Sequence, residues 1–187
     1  MKVTRFLALS MMFALALAHT ADARPRPQGF GGKSFEANKT FGLGLELGEP
    51  SGITGKYFLS PSGAVDFGLG YIYGHYYAGD GLHLYADYLW HPLVLASAAP
   101  FELPFYVGLG GRFWSFDYGC DGNGRNCAYD GSAFGVRVPL GLDLDFNNVP
   151  LDIFFQLVPT LDFYRNYRDR DIYLGIDASI GVRFWFN

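Results

Sequence analysis

From Thr40 onward the chain alternates apolar and polar positions with a period of two, segment after segment. A strand points successive side chains to opposite faces, so each segment reads as a strand with one apolar side and one polar side. The first sets Phe41, Leu43, Leu45 and Leu47 against Gly42, Gly44 and Glu46; the second sets Ile53, Tyr57 and Leu59 against Thr54 and Lys56. Next come Val65, Phe67, Leu69, Tyr71 and Tyr73 against Asp66, Gly68 and Gly70, then Leu82, Leu84, Ala86, Tyr88 and Trp90 against His83, Tyr85, Asp87 and His91. The fifth run opposes Phe105, Val107, Leu109 and Phe113 to Tyr106, Gly108, Gly110 and Arg112. In the sixth, GVRVPLGLDLDF, Val136, Val138, Leu140, Leu142 and Leu144 alternate with Gly135, Arg137, Pro139, Gly141 and Asp143. The seventh opposes Leu151, Ile153, Phe155, Leu157, Leu161 and Phe163 to Asp152, Gln156, Thr160 and Asp162. The last opposes Ile172, Leu174, Ile176, Ile180, Val182, Phe184 and Phe186 to Tyr173, Asp177, Ser179 and Arg183. Runs of this length joined by Gly, Pro, Asn and Asp turns predict an all-β fold, an antiparallel up-and-down meander of eight strands without helix in the mature chain.

Every charged residue within these runs falls on the polar series: Glu46, Asp66, Asp87, Asp143, Asp152, Asp162 and Asp177 among the acids, Lys56, Arg112, Arg137 and Arg183 among the bases. Alternation alone does not say which series faces inward. A soluble lipocalin-like barrel encloses the apolar side around a ligand; an outer-membrane barrel turns it toward lipid. Volume favours the second. An eight-stranded barrel has room for a filling of side chains, and about forty bulky apolar positions would overfill it. The polar series, in which glycine recurs between charges, fits a narrow interior and makes a poor watery surface. Tyr and Trp near strand ends (Tyr71, Tyr73, Tyr88, Trp90, Tyr164) suit an interfacial girdle. The expectation is an eight-stranded transmembrane β-barrel with the eleven charges as a paired interior network. Pro139 and Pro159 fall inside strands, where a missing N–H interrupts the ladder, and a bulge at each would absorb it.

Composition changes the picture in two ways. The chain has 187 residues, half of them apolar, with 17% charged and a net charge of -4, which recommends neither disorder nor a nucleic-acid partner. Residues 1–23 read as a signal peptide: Lys2 and Arg5, an apolar run from Phe6 to Ala18, and an Ala21-Asp22-Ala23 cleavage site. Residues 24–39, Pro- and Gly-rich, read as a flexible periplasmic lead-in, and residues 40–187 as the barrel. Export makes Cys120 and Cys127, which flank a Gly/Asn-rich turn, a disulfide pair.

The blocks GEPSGITGKY, AVDFGLGY, LHLYADYLWH, PFYVGLGGR, GVRVPLGLD, PLDIFFQLVPTLD and GVRFWF resemble a family of small bacterial outer-membrane β-barrel proteins with no settled activity. In architecture the chain is similar to the OmpX/OmpA transmembrane-domain type. The resemblance covers about residues 40 to 187 and implies a barrel whose N-terminus is periplasmic, with no catalytic residues. Alternation then sends GEPSG, GHYYAGDG, the cysteine loop and RNYRDRD outward, and PSG, HPLVLASAAPFELP and FNNVP to the periplasm. The second of these periplasmic connections is long for such barrels, which normally have short turns there.

Candidate chemistry adds little. His75, His83 and His91 recur on the polar series, but His83 and His91 stand at opposite ends of one strand, about 25 Å apart. Neither Ser132 nor Ser179 sits in a nucleophile motif. Asp121, Asn123 and Asn126 offer oxygens for calcium without the bidentate acid that closes an EF-hand loop. The reading is a non-enzymatic outer-membrane barrel without cofactor or metal, contributing to envelope structure or surface contacts. Its expected partners are outer-membrane lipid and lipopolysaccharide, and the barrel-assembly machinery during insertion; it is expected to be a monomer. The alternatives are a narrow pore for small solutes, a lipocalin-like ligand carrier and a lipid-modifying enzyme.

Overall fold

The period-two pattern becomes a ring of antiparallel strands in the computed structural model, which describes residues 29–75, 79–117, 131–165 and 172–186. In chain order the strands are β1 (Gly29–Lys33), β2 (Phe41–Gly48), β3 (Ser51–Phe58), β4 (Gly63–His75), β5 (Gly79–Ser97), β6 (Phe101–Asp117), β7 (Gly131–Arg137), β8 (Leu140–Phe146), β9 (Leu151–Arg165) and β10 (Ile172–Phe186). From β2 to β6 each strand pairs with its successor, β6 pairs with both β7 and β8, and both pair with β9. β9 pairs with β10, and β10 closes the ring on β2, with Phe186 opposite Phe41 and Arg183 opposite Gly44. Because β7 and β8 are two parts of one wall strand, the ring is eight-stranded, an all-β barrel.

The break between β7 and β8 is where the prolines lie, and no bulge absorbs them. Arg137 faces Thr160 and Leu140 faces Leu157 on β9; Arg137 faces Gly110 and Leu140 faces Val107 on β6. The register therefore runs through Val138 and Pro139 unshifted on both sides. The Pro159 carbonyl accepts from the Val138 N–H at 3.0 Å, and the Pro139 carbonyl accepts from the Gly108 N–H at 2.8 Å. The N–H and C=O of one residue point to the same neighbour, so the donor missing at Pro159 faces the Val138–Pro139 break. Pro139, whose carbonyl faces Gly108, turns its own missing donor toward β6, so the two prolines interrupt neighbouring ladders side by side without a register shift, and the expectation of a bulge at each is corrected.

Two further expectations change at the end expected to face the periplasm. The connection around His91–Glu102 is no long loop: β5 runs on to Ser97, turns through 98–100 and returns in β6, with register shifts between Trp90 and Leu93 and between Val94 and Ala96. Each shift inserts a residue and breaks the alternation, which hides the strand from a period-two reading. Part of the expected flexible lead-in is also ordered. β4 begins at Gly63 opposite Trp90, so β5 below that point lacks β4, and β1 pairs there with Val94, Ala96 and Ser97. Residues 1–28, and with them the signal-peptide reading, lie outside the described residues, as do Cys120 and Cys127.

The wall is inverted relative to a soluble protein. Leu43, Leu45, Leu47, Ile53, Phe67, Leu69, Leu82, Leu84, Leu109, Val136, Leu140, Phe155, Leu157, Ile180 and Val182 are exposed on the outside. Glu46, Lys56, Asp66, Asp87, Arg112, Arg137, Asp143, Asp152, Asp162, Asp177 and Arg183 are all buried inside. The lipocalin-like alternative requires the opposite arrangement.

Candidate functional site: a charged interior sealed at both ends

The interior is organised around three arginines, each lying over an aromatic ring. Arg183, from the lower part of β10, sits 4.2 Å from the Phe154 ring centroid. Its three nitrogens divide among three strands: Nη1 donates to Asp66 at 2.7 Å, Nη2 to Asp143 at 2.8 Å and Nε to Asp152 at 3.2 Å. Lys56 donates to the other oxygen of Asp143 at 2.6 Å, and Trp185 Nε1 donates to the other oxygen of Asp152 at 3.0 Å. Arg112 lies 5.5 Å over Trp114; Nε donates to Asp162 at 2.7 Å, Nη2 to Thr160 Oγ1 at 3.1 Å and to the second Asp162 oxygen, and Nη1 to Asp177. A planar guanidinium presents its donors in a fixed fork, which suits it to hold several carboxylates at once in a dry interior.

Arg137 is the exception. It lies 3.9 Å over Tyr85 with Nε 3.2 Å from Asp87 Oδ2, but none of its nitrogens makes a well-aimed hydrogen bond to the described residues. The Glu46 carboxylate also accepts none from them. Among the eleven charges, seven acids face four bases, and the two densest clusters hold three of the bases. Every guanidinium nitrogen of Arg183 and Arg112 is therefore engaged, although Asp177 Oδ1 beside Arg112 accepts no hydrogen bond from the described residues, and pairing is loose around Arg137.

Glycines make room for the rings. Tyr85 packs against Gly68, Tyr106 against Gly141, Phe154 against Gly181 and Trp185 against Gly42, in each case directly across a strand pair or nearest to it. A Cβ built at Gly68, Gly141 or Gly181 would collide with the facing ring. The glycines of the polar series are thus the recesses that let aromatics fill a narrow barrel.

Buried side chains fill the described interior at both ends. At the end away from the β2–β10 seam's Phe41 and Phe186, Ile72, Trp114 and Ala133 form a buried apolar cluster with Tyr173 packed against it. At the end that holds Phe41 and Phe186 the segment after β1 passes beneath the opening. Phe35 is buried with its ring centroid 5.1 Å from His91 and 5.7 Å from Phe58, and Phe58 stacks on Trp185 at 5.5 Å. Lys39 reaches across the mouth to Asp145 and donates to the carbonyls of Phe146 at 3.2 Å and Leu151 at 3.4 Å. Ala37 N–H, meanwhile, donates to Pro61 O at 2.7 Å.

The histidines do not converge. His83 is buried near Tyr85, with ring centroids 5.8 Å apart. His91 lies in the floor, its Nε2 3.5 Å from Asp143 and its Nδ1 3.2 Å from Ser62 O. The side chain of His75 lies outside the described residues, as do Asp121, Asn123 and Asn126. Ser179 accepts a hydrogen bond from Gln156 at 2.9 Å rather than from a histidine. Among the described residues no three His, Cys, Asp or Glu side chains gather in a way that could hold a metal ion. What the sequence reading left out are the inward apolar residues Ile72, Leu89, Trp114, Phe154, Val158 and Trp185, together with Phe35 and Lys39 of the floor. Strand parity was the available signal for the first six, because each shares the register of a charged neighbour.

A family model described as "Protein of unknown function (DUF3996)" matches residues 32–186. The chain belongs to that family, and the match takes in Phe35 and Lys39 as well as the barrel. No curated protein matches the chain. Among solved structures, the N-terminal β-barrel domain of Pseudomonas aeruginosa OprF is similar at a TM-score of 0.50 and 17% identity, over 81% of this chain and 99% of that one. At that identity the likeness is one of fold, and the fold is an eight-stranded barrel.

Proposed function

We propose that this member of the family is a non-enzymatic integral barrel of the bacterial outer membrane, closed to solute flow, whose work is done by its rims and outer surface. The observation that carries this reading is the inverted wall: Leu, Ile, Val and Phe outside on every wall strand, and eleven charged side chains buried inside. A charge turned to lipid at mid-membrane costs about 2–4 kcal/mol, so a lipid-facing wall excludes it. A closed ring also leaves no unpaired edge within the hydrocarbon, which open sheets cannot achieve. The aromatic cluster of Phe41, Tyr57 and Phe186, with centroids 6.0 and 6.5 Å from Phe41, supplies a girdle at the periplasmic rim.

Closure argues against the pore reading. The Arg183 and Arg112 clusters bridge strands on opposite sides of the interior, and rings seal both ends. On this reading the protein is exported with its signal peptide removed and inserted by the barrel-assembly machinery, and it stands as a monomer among outer-membrane lipid and lipopolysaccharide. The test is gel migration of detergent-folded protein with and without boiling, followed by planar-bilayer recording. The expected result is faster migration before boiling and no stable conductance steps. Migration indifferent to boiling, with the protein in a soluble periplasmic fraction, would overturn the membrane reading; steady unitary conductance would replace closure with a pore.

A further inference from the structure

The rim of the barrel is uneven, and its lowest point exposes a strand edge. The β2–β3 hairpin is short: β2 ends at Gly48, whose φ of +127° is one that L side chains rarely adopt, and β3 begins at Ser51. β10 pairs with β2 only as far as Ser179 opposite Gly48, with one more bond from Glu49 N–H to Ala178 O at 3.0 Å. Above that point β10 continues to Ile172, paired with β9 alone among the described residues.

Backbone direction identifies the unpaired groups. Ala178 faces β2 through its carbonyl, whereas Trp185 faces β9 by donating to Pro150 O at 2.8 Å. Alternate residues of a strand address opposite neighbours, so Ile176, Leu174 and Ile172 turn their N–H and C=O groups to the vacant side. Their side chains point outward and are 71%, 82% and 64% exposed.

Height puts this edge outside the lipid. The fifteen residues of β10, tilted about 35–45°, rise about 34–39 Å against an apolar band about 25 Å tall. With Phe186 in the periplasmic girdle, the first four or five residues of β10 stand at or above the outer boundary. Two demands then conflict at one place: the unpaired backbone groups require water or a strand, and the Ile172–Leu174–Ile176 stripe requires cover from water. An extended polypeptide meets both, since it supplies donors and acceptors at the strand repeat and an apolar side chain at every second position.

We propose that the upper edge of β10, Ile172–Ile176, is a docking site for an extended segment of another protein, added as a strand on the extracellular side. This deepens the reading of the protein as a membrane barrel that works through its surface, and depends on it. A second copy in the same membrane does not fit. Two barrels related by an axis along the membrane normal would cross their tilted strands at about 70–90°, far from antiparallel.

The test uses the full-length mature protein folded in detergent micelles and a dye-labelled, end-capped heptapeptide, Thr-Ile-Thr-Val-Thr-Ile-Thr, with a version carrying a central Pro as control. Leu174→Pro removes a free N–H that no barrel ladder uses, and Leu174→Lys places a charge on the stripe without touching the backbone. Heat-modifiable migration of each variant reports the barrel separately, so loss of the barrel is distinguishable from loss of docking. The expected result is saturable binding of the alternating peptide, protection of the Ile172, Leu174 and Ile176 amides from hydrogen exchange, and at least tenfold weaker binding to either folded variant. Absence of saturable binding to the folded wild type, or equal binding to folded Leu174→Lys, would overturn the proposal.

Discussion

Arg183→Met removes the hub of the lower interior while keeping a long side chain over Phe154. Three carboxylates, Asp66, Asp143 and Asp152, lose donors at 2.7, 2.8 and 3.2 Å. Lys56, at 2.6 Å from Asp143, is then the nearest cation left to the group. Breaking a buried pair by deleting one partner costs about 3–5 kcal/mol, because the other charge stays buried and uncompensated. For a chain of this size each kcal/mol moves the melting temperature by about 2–4 °C, so the expected fall is about 6–20 °C. Arg137→Met is the internal control. It loses one 3.2 Å contact without a well-aimed hydrogen bond, and its expected fall is less than half as large. The assay is the temperature at which the fast-migrating unboiled band disappears, read in one detergent for all variants. Asp66→Asn added to Arg183→Met is expected to recover part of the loss, since it removes one stranded charge. An Arg183→Met barrel melting within about 2 °C of wild type, or Arg137→Met falling further than Arg183→Met, would refute the assignment of Arg183 as the hub.

Two other substitutions probe the two faces of the wall. Gly181→Ala drives a methyl into the Phe154 ring and is expected to lose about 1–3 kcal/mol by overpacking, measured by urea unfolding in micelles. Outward-facing Gly111→Ala, whose new methyl would find its nearest neighbour at 3.6 Å, is expected to leave the midpoint unchanged. Leu45→Arg, on the outer face, is expected to reduce stability in lipid vesicles by about 2–4 kcal/mol; a neutral result would place that face in water.

The sequence made the wall legible because lipid contact and a narrow interior impose opposite demands on alternate residues. Parity alone put Asp66, Asp143, Asp152 and Arg183 on one side, and they meet in one cluster. It could not say that Arg183 holds all three of these carboxylates while Arg137 reaches only Asp87, because that depends on which strands face each other across the barrel. Phe154, Trp114 and Trp185 escaped notice for a different reason. Residue type marks them as lipid-facing while register turns them inward; a glycine stands opposite Phe154 and Trp185 to receive the ring, and the small Ala133 stands opposite Trp114. At His91–Ser97 the register itself shifts, so a true strand lost its alternation. The lead-in has the composition of a flexible segment, and its order comes from three anchors: the β1 pairing, Phe35 and Lys39. Each depends on a surface supplied from elsewhere in the chain, invisible in a local window.

The floor has a consequence for the order of events in folding. Phe35 needs β3 and β5 to form its seat, and Lys39 needs the β8–β9 turn, whose Leu151 carbonyl lies 112 residues further along the chain. The part of the barrel made first is thus among the last to settle. Until those surfaces exist, neither Phe35 nor Lys39 has a seat, and the floor cannot close.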